Sequence, residues 1–227
     1  MADDHEQLPL LFSRKRSPAS PRKAAPGKPS RRKAPARRTS RPEIARLKVT
    51  LRNIRPAIWR RLEVPTNISF GSLHDILQIA FGWTDSHLHE FQAGTMRIGT
   101  PDGEFDDPTD EKRTRLDQIF PICDRLVYEY DFGDSWEHLI VVEALQPREE
   151  EVPYPRCTGG KRSGPPEDCG GPWGYGEFLK AVRDPSHGEH ESMTEWIGGE
   201  FDPKRFSIDE TNGRLLLLAS HKRWRRS

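Results

Sequence analysis

Leu126–Glu143 reads LVYEYDFGDSWEHLIVVE, and its side chains alternate in two runs. Leu126, Tyr128 and Tyr130 share one face of the first run; Trp136, His138, Ile140 and Val142 share one face of the second. Between them, Asp131-Phe132-Gly133-Asp134-Ser135 supplies the glycine and aspartates that a tight reversal needs. Period-two alternation on both sides of such a cluster predicts a β-hairpin. The bend is also unusually charged, because Asp131, Asp134, Glu137 and His138 crowd about a single turn.

Upstream, Leu47, Val49 and Leu51 alternate with Lys48, Thr50 and Arg52, which predicts a half-buried strand. A turn at Asn53–Pro56 leads to a second strand through Ile58, Trp59, Leu62 and Val64. Leu73, Ile76, Leu77 and Ala80 fall at i, i+3, i+4 and i+7, one stripe of a helix that Ser69 or Ser72 can cap and Gly82 stops. A further strand is expected to run to Ile98, then an acidic loop over 99–114 and one helical turn at Leu116–Phe120.

Downstream of the hairpin, Gln146 to Gly174 holds six Pro and six Gly without periodicity and is expected to be a long functional loop. Three helices follow, near Tyr175–Val182, Met193–Ile197 and Ile208–Ser220, with Ser207 and Glu210 forming a capping box. The expected fold is α+β: a β-grasp-like mixed sheet in ββαβββ order, with a crossing helix and C-terminal helices. It occupies residues 43–221, and 222–227 form a short basic end.

The net charge of +1 conceals a division. Residues 1–42 hold 12 Lys/Arg against 3 Asp/Glu, which leaves 24 against 32 for the rest. With seven prolines and no apolar periodicity, this segment reads as a disordered tail. Its basic residues, among them Arg14, Lys15, Arg16, Arg31, Arg32, Lys33, Arg37 and Arg38, suit nucleic acid or another polyanion; equally, they suit a merely solubilising extension. The acidic body in turn suits a protein partner. Three cysteines argue against a secreted disulfide scaffold. No apolar run approaches the roughly 18 residues of a membrane span, so a cytoplasmic protein without membrane contact is expected.

IRPAIWRRLEVP (54–65), LHDILQIAFGWTDSHLHEF (73–91), YEYDFGDSWEHLIVVE (128–143), CTGGKRSGPPEDCGGPWGY (157–175) and WIGGEFDPKRF (196–206) closely resemble, in matching order, the plasmid pRiA4b Orf-three-like family. Some of its members carry the label "passenger TnpR" of insertion elements. The resemblance covers about 44–220. It implies an α+β domain of the β-grasp group and occurrence in bacteria, often on mobile DNA, without implying a reaction. No recombinase-like serine motif or helix-turn-helix reader accompanies it.

The first candidate site joins His87, His89 and His138 to Asp131 and Asp134. Imidazoles at i, i+2 share a face of an extended chain, and a His/Asp set suits a divalent metal such as Zn²⁺, Mn²⁺ or Fe²⁺. The plainer alternative is hydrogen-bonded strand histidines and turn-shaping aspartates. A second set lies on the Pro/Gly-rich insert: Cys157 and Cys169 as metal ligands, a redox pair or simple buried residues; Glu167 and Asp168 as carboxylates beside the hairpin; Lys161 and Arg162 as an anion receiver. Trp59, Trp83, Trp136, Trp173 and Trp196 read as core and loop anchors rather than a ligand platform. The expected function is a binding or adaptor module of mobile-element or defence biology; the alternatives are a metal-dependent hydrolase using the histidines and hairpin aspartates, and a purely structural interaction domain.

Overall fold

The computed structural model describes residues 43–103 and 105–222. In chain order the elements are β1 (Ile44–Leu51), β2 (Trp59–Pro65), α1 (Phe70–Phe81), β3 (His89–Ala93), β4 (Met96–Gly99), β5 (Thr109–Asp110), α2 (Leu116–Ile119), β6 (Arg125–Tyr130), β7 (Trp136–Gln146), β8 (Arg156–Lys161), α3 (Gly171–Arg183), α4 (His190–Ile197) and α5 (Ile208–Lys222). The strands form one sheet in the spatial order β5-β4-β3-β6-β7-β1-β2-β8. Neighbours are antiparallel except β4 and β5. The α+β class expected from the sequence is the class observed.

The hairpin of β6 and β7 forms in the expected register, Tyr128 opposite His138 and Tyr130 opposite Trp136. β7 is long enough to pair with β1 on its other edge, so this hairpin seats the N-terminal strands. The alternating residues Leu126, Tyr128, Tyr130, Trp136, His138 and Ile140 are all buried on one face. Onto that face α1 packs Leu73, Ile76, Leu77 and Ala80. Each of the Leu and Ile side chains contributes on the order of 1.5–3 kcal/mol by leaving water. Ser69 Oγ accepts from Ser72 N at 3.2 Å at the start of α1, and Gly82 at φ 86° ends it.

Three strands were not legible in the sequence. The run to Ile98 is a hairpin folded at Gly94 (φ 61°), the stretch expected to be an acidic loop contains β5 beside β4, and the Pro/Gly-rich insert contains β8 beside β2. The last has a clear cause. A side chain at Gly160 would place its Cβ 2.3 Å from the Phe206 ring, and one at Gly159 would meet Trp59 at 3.4 Å. The space above β8 is filled by aromatic rings from elsewhere, so its own sequence shows no alternation. Its outer edge is closed by α5: Asn212 Oδ1 accepts from Cys157 N at 2.6 Å, and Asn212 Nδ2 donates to Cys157 O at 3.0 Å.

Arg60 ties these parts together from inside. It is 2% exposed, donates from Nε to Ala80 O at 2.7 Å, and lies 4.0 Å from the Phe206 ring centroid. Burial lowers its pKa to about 10, so the guanidinium remains charged at neutral pH. The Trp group divides: Trp83 and Trp136 are buried, whereas Trp173 and Trp196 are 78% and 47% exposed. Among the described residues no helix is long and apolar enough to cross a membrane.

Candidate functional site

The polar residues of the β6–β7 hairpin and of the Trp83–Glu90 segment do meet, but as two clusters. Asp85 adopts a left-handed conformation (φ 61°) and the chain bends before β3 begins at His89. His87 is therefore not on the strand, and the expected common face for His87 and His89 does not exist. His89 turns toward α1, and His87 turns toward the hairpin bend.

In the first cluster, Gln78 Nε2 donates to the Tyr128 hydroxyl at 3.1 Å, and that hydroxyl donates to His74 Nδ1 at 2.8 Å. His74 Nε2–H then donates to Asp85 Oδ1 at 2.8 Å, and Asp85 N returns to Gln78 Oε1 at 2.9 Å. The ring closes with every donor matched. Burial, then the neighbouring His89, lowers the His74 pKa and holds it neutral against the pull of Asp85. His89 stacks on His74 with centroids 3.5 Å apart and donates from Nε2 to Glu111 Oε2 at 2.7 Å. For Glu111 burial acts upward, but the bond from His89 and the charge beside it outweigh burial and lower its pKa.

The second cluster is built on the bend. Asp131, also left-handed at φ 58°, uses Oδ1 to accept from Gly133 N and Asp134 N at 3.0 and 3.2 Å. Its other oxygen, Oδ2, lies 3.7 Å from His87 Nε2. From the insert come Asp168 Oδ1 at 3.0 Å and Glu167 Oε2 at 3.7 Å from the same nitrogen. His87 Nε2 is buried, yet none of these oxygens is aligned to make a hydrogen bond with it. Glu167 is held by Tyr130, whose hydroxyl donates to it at 3.1 Å, and by Thr84 N at 2.7 Å. Burial first, and then Glu167, raise the Tyr130 pKa and keep that donor protonated.

The insert roofs this cluster, pinned at successive points. Trp83 Nε1 donates to Pro165 O at 2.9 Å, and Gly170 N donates to Asp134 Oδ2 at 3.0 Å. Gly164 lies so close to α1 that a Cβ there would stand 2.0 Å from Phe81 O. Asp168 is left-handed as well (φ 55°), and 67% of its side chain faces solvent.

Several expected site residues stand elsewhere. His138 is wholly buried beside Phe81, Trp83 and Tyr128, with Nδ1–H donating to Trp136 O at 2.9 Å. The Tyr128 ring stands between it and His89, so a neighbouring strand does not bring the two imidazoles together. Burial drives its pKa down to about 3. Asp134 caps the insert instead of facing His87. Cys157 is engaged with β8 and α5, while Cys169 lies by Asp134 and Asp168; both are free thiols, and burial raises the Cys169 pKa to about 12. Lys161 is exposed opposite Trp59, and Arg162 lines a separate cleft. The basic residues of 1–42 lie outside the described residues.

His74, Gln78, Asp85, Glu111, Tyr128 and Tyr130 were not anticipated as site residues. One signal was present: His74 and Gln78 sit at i, i+4 on a helix that is otherwise strongly apolar on that side.

One crossing helix on an antiparallel-dominated sheet, with a His–carboxylate cluster under a Pro/Gly-rich roof, defines an α+β domain with two adjoining polar clusters. The chain belongs to the plasmid pRiA4b ORF-3-like family, whose sequence model matches residues 43–210. The uncharacterized protein y4hQ of Sinorhizobium fredii (strain NBRC 101917 / NGR234) is 39% identical over 189 residues, covering 81% of this chain and 95% of the relative. The crystal structure of MM3350 from Methanosarcina mazei Go1, a protein of unknown function, is similar at a TM-score of 0.67 and 40% identity, over 74% of this chain and 96% of that one.

Proposed function

We propose that the body is a divalent-metal protein whose centre is His87 Nε2, Asp131 Oδ2 and Asp168 Oδ1, with Glu167 beside them. The observation that carries this is the buried His87 Nε2, which makes no hydrogen bond although carboxylates from two distant segments surround it. The three ligand atoms lie within 4.8 Å of one another, and ligands sharing an ion at ~2.1 Å stand roughly 3–4 Å apart. Only a small contraction separates the two arrangements. One nitrogen with carboxylate oxygens suits Zn²⁺, Mn²⁺ or Fe²⁺. His87, Asp131 and Asp168 would hold the ion, and a bound divalent metal would supply a water ionised near neutral pH for hydrolysis. Hydrolysis is the reaction class that this arrangement supports best.

The test is titration of chelator-treated protein with Zn²⁺ and Mn²⁺, together with metal analysis of the purified chain. One equivalent is expected in the wild type and in His89→Ala, and none in His87→Ala or Asp131→Asn. Retention of the metal by His87→Ala, or its loss only in His89→Ala, overturns the assignment. Metal-dependent turnover of chromogenic esters, absent in His87→Ala, tests the hydrolytic reading.

A second reading rests on the charge of residues 1–42. Twelve basic against three acidic side chains support an arm for nucleic acid or another polyanion, beside an acidic body available to a protein partner. Retention on nucleic acid that falls steeply with salt and vanishes on deleting 1–42 is expected. Equal retention by the shortened chain refutes the arm.

A further inference from the structure

The end of β8, the end of α3 and the turn before α5 enclose a cleft of about 590 Å³ lined by Pro56, Arg162, Arg183, Asp202, Pro203 and Lys204. None of these residues belongs to the His87 cluster. We propose that this cleft binds a phosphorylated small molecule, with Arg162, Arg183 and Lys204 gathered about the phosphate.

Three cations from three segments converge here on a body that is acidic as a whole. None of the three side chains has an ion pair or hydrogen bond among the described residues. The Nε of Arg162 is buried and has no acceptor, an arrangement that a folded chain avoids unless a ligand or water completes it. Arg162 is also left-handed at φ 72°, a conformation that an unbranched cationic residue gains nothing from by itself. The one acid among the described lining residues, Asp202, is engaged by backbone, its Oδ1 accepting from Lys204 N at 2.8 Å.

The walls are fixed before any ligand arrives. Ser163 N donates to Pro203 O at 3.3 Å, and the Ser163 hydroxyl lies 2.7 Å from Asp202 O and 2.9 Å from Arg205 O. Those contacts clamp the segment bearing Arg162 to the turn bearing Lys204. Arg162 and Arg183 line the same cleft from the end of β8 and the end of α3. A guanidinium fork matches two oxygens of a phosphate or carboxylate. Three cationic groups call for a third oxygen, which a tetrahedral anion has and a carboxylate lacks. The volume falls within the range of small-molecule sites, so it exceeds what a free phosphate fills. A phosphate monoester accounts for both the charge and the remaining space.

The test is calorimetric titration of full-length, chelator-treated protein with inorganic phosphate, glycerol phosphate and acetate; removing metal keeps the phosphate from binding through the His87 centre. The monoester is expected to bind more tightly than phosphate, and acetate not at all. Arg183 and Lys204 are exposed, so the double change R183A/K204A leaves the fold intact, and it is expected to weaken monoester binding at least about tenfold. Arg162→Lys, which keeps the charge and removes the fork, is expected to weaken it as well, whereas His87→Ala leaves it unchanged. Undiminished binding in R183A/K204A, as phosphate held by the basic tail would give, overturns the proposal. So does acetate binding as tight as that of the monoester, or the absence of any phosphate binding in the millimolar range.

Discussion

Replacing His138 by Phe separates architecture from chemistry among the three histidines that the sequence grouped. The imidazole is 0% exposed, and burial lowers its pKa to about 3, against an ordinary value near 6.5. The unfolded chain therefore takes up a proton that the folded chain refuses. Stability is whole above about pH 6.5 and declines as pH falls toward 3, at ~1.36 kcal/mol per pH unit for this one group. Between pH 6.5 and 4 the wild type loses about 3 kcal/mol through His138 alone. Phe keeps a ring against Phe81, Trp83 and Tyr128 but cannot titrate. It loses the bond to Trp136 O and adds volume, which costs about 1–3 kcal/mol at pH 7. Urea unfolding across this pH range should show the two stability curves converging on the acid side, with the variant shallower by one proton. Parallel curves would refute the claim that His138 is a buried neutral core residue. They would reopen its candidacy as a ligand.

Tyr130→Phe removes the donor that orients Glu167, and metal affinity is expected to fall about 10–100-fold with all three ligands in place, as read by competition with a chelating dye. Asp85→Ala breaks the Gln78–Tyr128–His74–Asp85 ring two residues before His87; a similar loss of affinity with unchanged stoichiometry is expected, and unchanged affinity contradicts the positioning role. Glu63, 1% exposed and bonded by Arg46 and Arg156, has a pKa that these arginines lower against the opposing effect of burial. Glu63→Gln should therefore cost about 1–3 kcal/mol in denaturant at pH 7 and progressively less as pH falls through the folded pKa of Glu63. Gly164→Ala puts a Cβ 2.0 Å from the backbone oxygen of Phe81, so the roof must lift; the variant is expected to lose metal binding before it loses helicity by circular dichroism.

The parts of the fold that were legible are those where burial imposes a period. α1 and the β6–β7 hairpin each bury one face, and their apolar residues recur at 3.6 and 2 accordingly. β8 escaped because Phe206 and Trp59 occupy the positions its side chains would fill, leaving glycines that read as loop. The β3–β4 hairpin escaped because its turn rests on one glycine at φ 61°. At the site, spacing paired His87 with His89 on the assumption of extended backbone. Asp85 at φ 61° removes that assumption, and nothing in local composition announces it. That Asp131 and the Glu167–Asp168 pair converge on His87 was legible only as a crowding of charge beside a loop too particular to be a linker.

The two polar clusters share one short segment, and their contrast explains why the molecule keeps both. Asp85 serves His74, Ser86 N donates to the Tyr130 hydroxyl at 3.0 Å, and His87 faces the carboxylates. The Tyr130 ring lies between, 6.3 Å from His74 and 5.8 Å from His87 by centroids. On the His74 side every donor has its acceptor, so that cluster has no capacity left for a ligand unless a bond is broken. On the His87 side the nitrogen is left over, while the groups around it, Asp131 Oδ1 and Glu167, are fully engaged in holding position. A saturated network next to an unsaturated nitrogen is the arrangement expected when one part of a structure fixes the geometry of another. The closed ring sets the bend at Asp85, the bend sets where His87 points, and the roof supplies the remaining oxygens.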